Sequence, residues 1–269
     1  MRRLFEPKET PMKVALFMSG SGTNAIKILE HQKLLEKNSD APYQVSLICT
    51  DNGKSNASSI AQRFGLPVKL RGLQEFYDGI GKDRKDLSQR PKYFELVLKD
   101  LQNFGIDAVA LAGYMVLVTE PLLSTYRDRI FNVHPADLSI RDAQGKAVYV
   151  GAEAVKDAIL AGQREIRATT HVVTAETDQG SPLLISKPVK VELPSGVSPE
   201  ELRKPENQKL AKKIADAHQE KLKQVGDWQI YPLTIEWISR GYFGRDSDGT
   251  MRIADEALRM AKSYGLKVV

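Results

Sequence analysis

The chain has 269 residues, long enough to bury one large hydrophobic core or two modest ones. Its 39 Lys and Arg residues against 34 Asp and Glu residues leave a net charge of +5, and no segment combines dense positive charge with aromatic residues as a nucleic-acid groove would. One cysteine cannot form a disulfide or a cysteine-based zinc site, and no apolar run nears the roughly 20 residues that span a bilayer. We therefore expect a cytoplasmic protein that binds no metal, nucleic acid or membrane.

The first half of the chain alternates short apolar runs with helical patterns. Residues 1–11 are polar and are predicted to form an N-terminal tail. Apolar runs predict strands at 14–18, 44–50, 66–70 and 108–112, and helical spacing predicts helices that begin near residues 25, 57 and 91. The charged stretch 71–90 predicts an exposed loop. Because strands and helices alternate through short links, we expect a parallel, doubly wound α/β sheet.

The second half begins with a strand at 130–133 and ends in helices. Further strands are predicted at 167–174 and 183–191, and Pro188 indicates that the latter lies at an edge. Helices are predicted at 152–160, 200–224, 230–238 and 254–264. The predicted fold is therefore a mostly parallel sheet with an antiparallel edge and C-terminal helices. We expect one domain over 12–240, with 241–269 as an extension packed on it.

A glycine-rich turn, Gly20-Ser21-Gly22-Thr23-Asn24, links the first strand to the first helix. A helix start exposes unpaired N–H groups and the positive end of the helix dipole, which together hold a phosphate or a carboxylate. Glycines let the backbone approach the anion closely. The pattern matches neither the dinucleotide fingerprint nor the Walker loop. We interpret it as an anion site, and the alternative is a tight turn capped by Thr23 or Asn24.

The run Asn132-Val133-His134-Pro135 stands at the end of the strand predicted at 130–133. Ligands of open α/β sheets bind at the carboxyl ends of strands. Acyl transfer to an amine needs a proton acceptor, a donor to the carbonyl oxygen and a group that sets the charge of the imidazole. His134, Asn132 and Asp178 can serve in these three roles. The alternative is that His134 is a loop histidine satisfied by the backbone.

The remaining histidines and the cysteine have structural interpretations. His31 and His218 fall on helical surface patterns, and His171 is flanked by β-branched residues as a packed strand histidine would be. Cys49 lies inside an apolar run and is predicted to be a buried, inert thiol.

Five segments, in order, carry a resemblance to a known family. They read VALFMSGSGTN at 14–24, DAVALAGYM at 107–115, NVHP at 132–135, THVVTAETDQGSP at 170–182 and IYPLTIEW at 230–237. From about Met12 to Trp237 the chain resembles the folate-dependent formyltransferase superfamily, most closely its purine-synthesis branch, the phosphoribosylglycinamide formyltransferases. The resemblance implies a Rossmann-like sheet and 10-formyltetrahydrofolate as the formyl donor.

The resemblance also implies a set of site residues. The catalytic residues of the family match Asn132, His134 and Asp178. The implied phosphate- and acceptor-binding residues are Gly20, Ser21, Gly22, Thr23, Asn24 and Asp227. The implied folate-binding residues are Arg90, Met115, Leu117, Val118, Val173 and Thr174.

The chain departs from the family beside these residues. After His-Pro the family continues Ser-Leu-Leu-Pro, whereas this chain has Ala136-Asp137-Leu138-Ser139 and extra residues up to Tyr149-Val150-Gly151. The family pattern Asp-Gly-Gly-Pro is replaced by Asp178-Gln179-Gly180-Ser181-Pro182. In the family these positions line the acceptor entrance and the folate pocket.

The resemblance implies an enzyme that transfers a formyl group from 10-formyltetrahydrofolate to the amine of a phosphorylated acceptor, namely glycinamide ribonucleotide, in de novo purine biosynthesis. Its partners would be these small molecules, and it would act as a monomer or homodimer. The changed residues at the acceptor entrance and the folate pocket leave two alternatives open. One is a formyltetrahydrofolate hydrolase, in which water replaces the amine. The other is a non-catalytic relative that binds a folate or a phosphorylated ligand.

Overall fold

The computed structural model describes residues 1–268, in which strands and helices alternate. The strands are β1 (Arg2–Arg3), β2 (Met12–Met18), β3 (Tyr43–Thr50), β4 (Val68–Leu70), β5 (Ala108–Leu111), β6 (Ile130–His134), β7 (Glu165–Ile166), β8 (Thr169–Val172), β9 (Pro182–Ile185), β10 (Val189–Lys190), β11 (Phe243–Arg245) and β12 (Met251–Ile253). The helices are α1 (Thr23–Lys37), α2 (Ala57–Phe64), α3 (Leu73–Gly79), α4 (Arg90–Asn103), α5 (Leu122–Thr125), α6 (Ala154–Leu160), α7 (Pro199–Arg203), α8 (Gln208–Leu222), α9 (Trp228–Ser239) and α10 (Asp255–Ser263).

The chain divides into two compact units. Unit 1 comprises residues 1–132 and 235–244, and unit 2 comprises residues 133–234 together with the segment from residue 245 on. The predicted division into a tail, a domain and an extension stays a prediction. Within the predicted tail, Leu4 and Phe5 are buried and the residues before them form β1.

Unit 1 contains the parallel strands β4, β3, β2 and β5 and residues 130–132 of β6, in the order β4-β3-β2-β5-β6. Residues 14–18 of β2 are fully buried, as a continuous apolar run in a strand covered on both faces must be. From β2 the chain continues to β3 and β4 on one side and then returns to β5 on the other. This reversal creates a topological switch point at the carboxyl end of β2, where the glycine-rich turn begins.

Unit 2 contains antiparallel pairs, β8 with β9 and β7 with β10. The Thr170 hydroxyl on β8 shares a hydrogen bond of 2.7 Å with the Thr234 hydroxyl. The predicted fold class is confirmed: the chain has an α/β fold with a mostly parallel, Rossmann-like sheet, an antiparallel edge and C-terminal helices. Among residues 1–268, no helix is both long enough and apolar enough to cross a membrane.

The exposed loop predicted at 71–90 is wrong in part, because this stretch contains α3 and a short 3-10 turn at Leu87–Gln89. Leu73 and Tyr77 lie four residues apart on one face of α3 and are both buried. The Tyr77 hydroxyl donates a hydrogen bond of 2.7 Å to the Asp86 carbonyl. The apolar residues Leu73, Phe76, Tyr77 and Ile80 do have helical spacing, but the prediction missed it because a dense run of charge follows them directly.

Prolines interrupt two elements that the sequence presents as continuous. The helix predicted at 200–224 is split into α7 and α8, and Pro205, which has no N–H to donate, lies between them. The strand predicted at 183–191 is likewise split into β9 and β10, on either side of Pro188.

His218 and Cys49 are both buried, but the sequence analysis predicted burial only for Cys49. The surface position predicted for His218 is wrong: its Nδ1–H donates to the Ile214 carbonyl at 2.8 Å, and its Nε2 accepts from the Glu192 N–H at 3.0 Å. These partners make it a structural histidine. Cys49 is buried as predicted, and burial raises the pKa of its thiol.

Candidate active site

His134, the last residue of β6, is buried with 4% of its surface exposed. Its Nε2 lies 2.9 Å from the Tyr149 carbonyl oxygen. Because a carbonyl can only accept, Nε2 carries a proton and donates it. The other ring nitrogen, Nδ1, lies 3.3 Å from Oδ2 of Asp178. The backbone thus fixes one end of the imidazole and leaves Nδ1, beside a carboxylate, as the nitrogen that can exchange a proton.

Asp178 lies in the loop between β8 and β9 and is buried, with a left-handed backbone (φ +55°) that side-chain-bearing residues rarely adopt. The Gly151 N–H donates to its Oδ2 at 2.8 Å. Its Oδ1 lies 3.5 Å from Nε2 of His171. The carboxylate is therefore held between two imidazoles and a backbone donor.

Sequence reasoning assigns His171 to packing alone, and the structure places it against the predicted catalytic carboxylate. It is buried on β8, and its Nδ1–H donates to the Val172 carbonyl at 3.0 Å, which turns Nε2 toward Asp178. Tyr149 and Gly151 are missed as well, because they act through backbone atoms that no sequence motif encodes. For His171 a signal existed: it lies on the strand that leads directly into the Asp178 loop.

Burial and charge act in opposite directions on the two central groups. Burial alone would raise the pKa of Asp178, but the adjacent His171 ring, the charge that His134 carries when it is protonated and the Gly151 N–H together hold it below its ordinary value. Burial lowers the pKa of His134, and this outweighs the opposing effects of Asp178 and the Tyr149 carbonyl. At neutral pH the pair therefore consists of a carboxylate and a neutral imidazole.

We expect a pH-dependent stability from His134. Its pKa is lower in the folded than in the unfolded chain, so its contribution is present above the unfolded value of about 6.5 and is lost as the pH falls through the folded value. Between about pH 7.5 and 5.5 the free energy of unfolding should drop further in the wild type than in His134→Gln, as measured by urea denaturation. Equal drops in both proteins would contradict this assignment.

Asn132 precedes His134 by two positions on β6 and is partly exposed. An amide side chain at this position can donate a hydrogen bond to a carbonyl oxygen.

In unit 1 the glycine-rich turn forms the start of α1, whose N-cap is Gly22. The alternative of a turn capped by Thr23 or Asn24 is not observed, because no side chain caps this helix. Gly22 has φ +70°, and a Cβ there would lie 2.5 Å from side-chain atoms of Met18 and Ile60. The Oδ1 of Asn24 is buried and has no hydrogen-bond partner within residues 1–268. The turn thus leaves helix N–H groups and one amide oxygen available to a polar ligand.

Ser19 ties together the loops that follow β2, β3 and β5. Its hydroxyl donates to Oδ1 of Asp51 at 2.5 Å and accepts from the Met115 N–H at 2.9 Å. The Asn52 side chain donates to the Ser19 carbonyl at 3.0 Å. The loops at these three strand ends are therefore joined by hydrogen bonds, which the sequence analysis did not predict.

The predicted folate-binding residues of unit 1 differ in exposure. Met115 and Leu117 expose 76% and 39% of their surface, whereas Val118 exposes 4%. Arg90 is buried and donates to the Leu117 carbonyl at 3.5 Å and to the Arg84 carbonyl at 3.0 Å. Arg90 therefore holds the backbone of the segment that carries the exposed apolar side chains.

The remaining predicted binding residues belong to unit 2. Val173 is partly exposed, and Thr174 is exposed and donates to the Glu176 carbonyl at 3.1 Å. Asp227 is buried at the end of a π-helical turn that precedes α9. The described residues contain no group of three or more His, Cys, Asp or Glu side chains that could hold a metal ion.

Several known proteins resemble this chain in sequence and fold. A phosphoribosylglycinamide formyltransferase of Haemophilus influenzae is 27% identical over 229 residues, which cover 85% of this chain and 88% of that protein. The crystal structure of glycinamide ribonucleotide transformylase 1 from Symbiobacterium toebii matches with a TM-score of 0.63 and 25% identity, covering 92% of this chain and 96% of that one. A formyltetrahydrofolate deformylase from Burkholderia mallei shares the fold, with a TM-score of 0.59 and 16% identity over 91% of this chain and 71% of that one. The sequence profile of the formyl transferase family matches residues 12–215, and the chain belongs to this family.

Proposed function

We propose that this protein transfers the formyl group of 10-formyltetrahydrofolate to the amine of glycinamide ribonucleotide, a phosphorylated acceptor of de novo purine biosynthesis. The observation that carries the proposal is the buried pair of His134 and Asp178 at the end of β6, in a chain of the formyl transferase family. The names of its relatives in Haemophilus influenzae and Symbiobacterium toebii support this acceptor.

In this reaction 10-formyltetrahydrofolate supplies the formyl carbon, and the acceptor amine supplies the attacking nitrogen. The Asn132 amide donates a hydrogen bond to the formyl oxygen as negative charge develops there. The amine must lose a proton, which passes to Nδ1 of His134, either directly or through the adjacent carboxylate of Asp178. The imidazolium is stabilised by Asp178 and returns the proton to the folate nitrogen as the bond to the formyl carbon breaks.

The donor is proposed to bind at the segment that carries Met115 and Leu117, together with the loop that carries Val173 and Thr174. The exposed apolar side chains of Met115 and Leu117 can pack against a flat heterocycle, because burying them on binding releases water. Here the Met115 N–H is bound by Ser19 and the Leu117 carbonyl by Arg90.

The phosphate of the acceptor is proposed to bind at Gly20 through Asn24. The free N–H groups and the dipole of α1 attract an anion, and the exposed Gly20 and Ser21 let it approach the backbone. The orphan oxygen of Asn24 can accept from a hydroxyl or amide of the same ligand. Asp227 is proposed to contact the ribose of the acceptor.

The test is the release of tetrahydrofolate, followed spectroscopically with and without glycinamide ribonucleotide. We expect release only when the acceptor is present, and unchanged release in Lys212→Ala, which removes an exposed ion pair with Asp216. Formate production without any amine would instead identify a hydrolase. Folate binding without turnover on any amine would identify a non-catalytic relative.

We also propose that the substrates are small molecules, that the compartment is the cytoplasm, and that the protein acts as a monomer or homodimer without nucleic-acid or membrane partners. Light scattering on the purified protein measures the oligomeric state.

A further inference from the structure

The extra residues that follow His134 fold into a tight hairpin at residues 140–148, hereafter the insert hairpin. The Val148 N–H donates to the Ile140 carbonyl at 3.1 Å, and the backbones of Arg141 and Ala147 form an antiparallel bridge. At the tip, Oδ1 of Asp142 accepts from the backbone N–H of Lys146 at 2.8 Å. The insert hairpin is therefore held by its own backbone hydrogen bonds.

The chain that leaves the insert hairpin supplies backbone partners to both members of the central pair. The Tyr149 carbonyl accepts the Nε2 proton of His134, and the Gly151 N–H donates to Asp178. Because both contacts come from one short segment, two residues apart, a shift of that segment would move both together. The path of residues 147–151 thus sets the proton position of the imidazole and the direction of the carboxylate.

Gln179, the residue after Asp178, clamps the start of this segment. Its Oε1 accepts from the Ala147 N–H at 2.8 Å, and its Nε2 donates to the Ala147 carbonyl at 3.2 Å. Ala147 is buried, so losing the clamp would leave both of its backbone groups short of partners. The side chain of Gln179 therefore connects the Asp178 loop to the segment that carries Tyr149 and Gly151.

Other contacts also hold the region of the insert hairpin, among them a hydrogen bond of 2.9 Å from Nε2 of Gln163 to the Tyr149 hydroxyl, but none of these side-chain contacts involves the backbone groups of Ala147. Lys146 and Glu176 form an ion pair of 3.4 Å in which both side chains are largely exposed, so it contributes little. Lys267 donates to the Ser139 hydroxyl at 2.6 Å, which secures the chain entering the hairpin and not the chain leaving it.

We propose that Gln179 is a positioning residue for the reaction: it holds residues 147–151 so that the Tyr149 carbonyl keeps a proton on Nε2 of His134 and the Gly151 N–H aims the carboxylate of Asp178. The inference rests on the proposed function for its kinetic consequence, but its structural content does not.

The test uses Gln179→Ala and Gln179→Met, the latter of nearly equal length without hydrogen-bonding atoms. We expect kcat to fall about tenfold, with KM for both substrates within about twofold, because a small misplacement of reacting groups affects the chemical step. Lys146→Ala is the matched control, since it removes the exposed link between the same two segments. It should keep the kcat of the wild type.

The second readout is imidazole nitrogen NMR of histidine-labelled protein, which needs no turnover. The chain has 4 histidines, so the His134 signals can be assigned from single substitutions. The Nε2–H signal of His134 should shift or exchange faster in both Gln179 variants and stay unchanged in Lys146→Ala. Unchanged His134 signals in folded Gln179 variants, or equal changes in Lys146→Ala, would overturn the proposal. Shifted His134 signals in a protein that transfers no formyl group would uphold the clamp and refute only the proposed function.

Discussion

Replacing His134 by Ala should lower kcat at least about 100-fold, because a positioned group that exchanges protons contributes two to four orders of magnitude. The expectation rests on the pair itself: Nδ1 faces Asp178 at 3.3 Å, and the Tyr149 carbonyl holds the other nitrogen. Asp178→Asn should have an effect of similar size, since an amide cannot stabilise the imidazolium. The double variant should be little worse than either single one, because residues that act as a unit are not additive.

His31→Gln is the matched control for the loss of a histidine. His31 lies on α1 and pairs with Glu236 at 2.8 Å, with 24% of its side chain exposed. This variant should keep the kcat of the wild type, and all variants should bind folate as the wild type does. A His134→Ala protein that retains more than about a tenth of the activity would exclude His134 as the acid and base group.

Gly180→Ala should destabilise the protein by at least about 3 kcal/mol and abolish turnover, because the loop that carries Asp178 has no room for a side chain there. A Cβ on Gly180 would lie 1.6 Å from the Val172 carbonyl oxygen and 2.8 Å from its carbon. Those atoms belong to the backbone of β8, which pairs with the segment after Gly180 through a Val172 N–H to Ser181 carbonyl bond of 3.0 Å. Relief would therefore require β8 and the Asp178 loop to separate.

The control is Gly79→Ala, since no atom lies within 4 Å of the added Cβ at the end of α3. Its free energy of unfolding should stay within about 1 kcal/mol of the wild type. Chemical denaturation of both variants measures the difference. If Gly180→Ala matched the stability of Gly79→Ala, the close packing of the Asp178 loop against β8 would be refuted.

Several residues of the candidate site could be named from the sequence because they lie near the end of an apolar run that predicts a strand. Gly20 follows the apolar run of β2, and His134 ends the apolar run of β6 just before a proline. That His134 and Asp178 lie together depends on the pairing of β8 with its neighbours, which a local pattern does not encode. It could be anticipated through the family resemblance, and the structure supplies the distance.

Other features could not be read from sequence for identifiable reasons. The partners from Tyr149 and Gly151 are backbone atoms, which every residue carries, so their use leaves no mark in the sequence. His218 looks like a surface residue among lysines, but its two ring nitrogens are taken by the backbone of Ile214 and Glu192. Gln179 departs from the family pattern, and its role can be recognised only from the two hydrogen bonds that its side chain forms with the backbone of Ala147.

A single-turnover product balance distinguishes formyl transfer from hydrolysis. The enzyme, in excess over 10-formyltetrahydrofolate, is mixed with saturating glycinamide ribonucleotide, and formylated acceptor, formate and tetrahydrofolate are quantified together. We expect one formylated acceptor for each tetrahydrofolate, little formate, and loss of both products in His134→Ala. Formate equal to tetrahydrofolate, with no formylated acceptor, would contradict the proposed transfer.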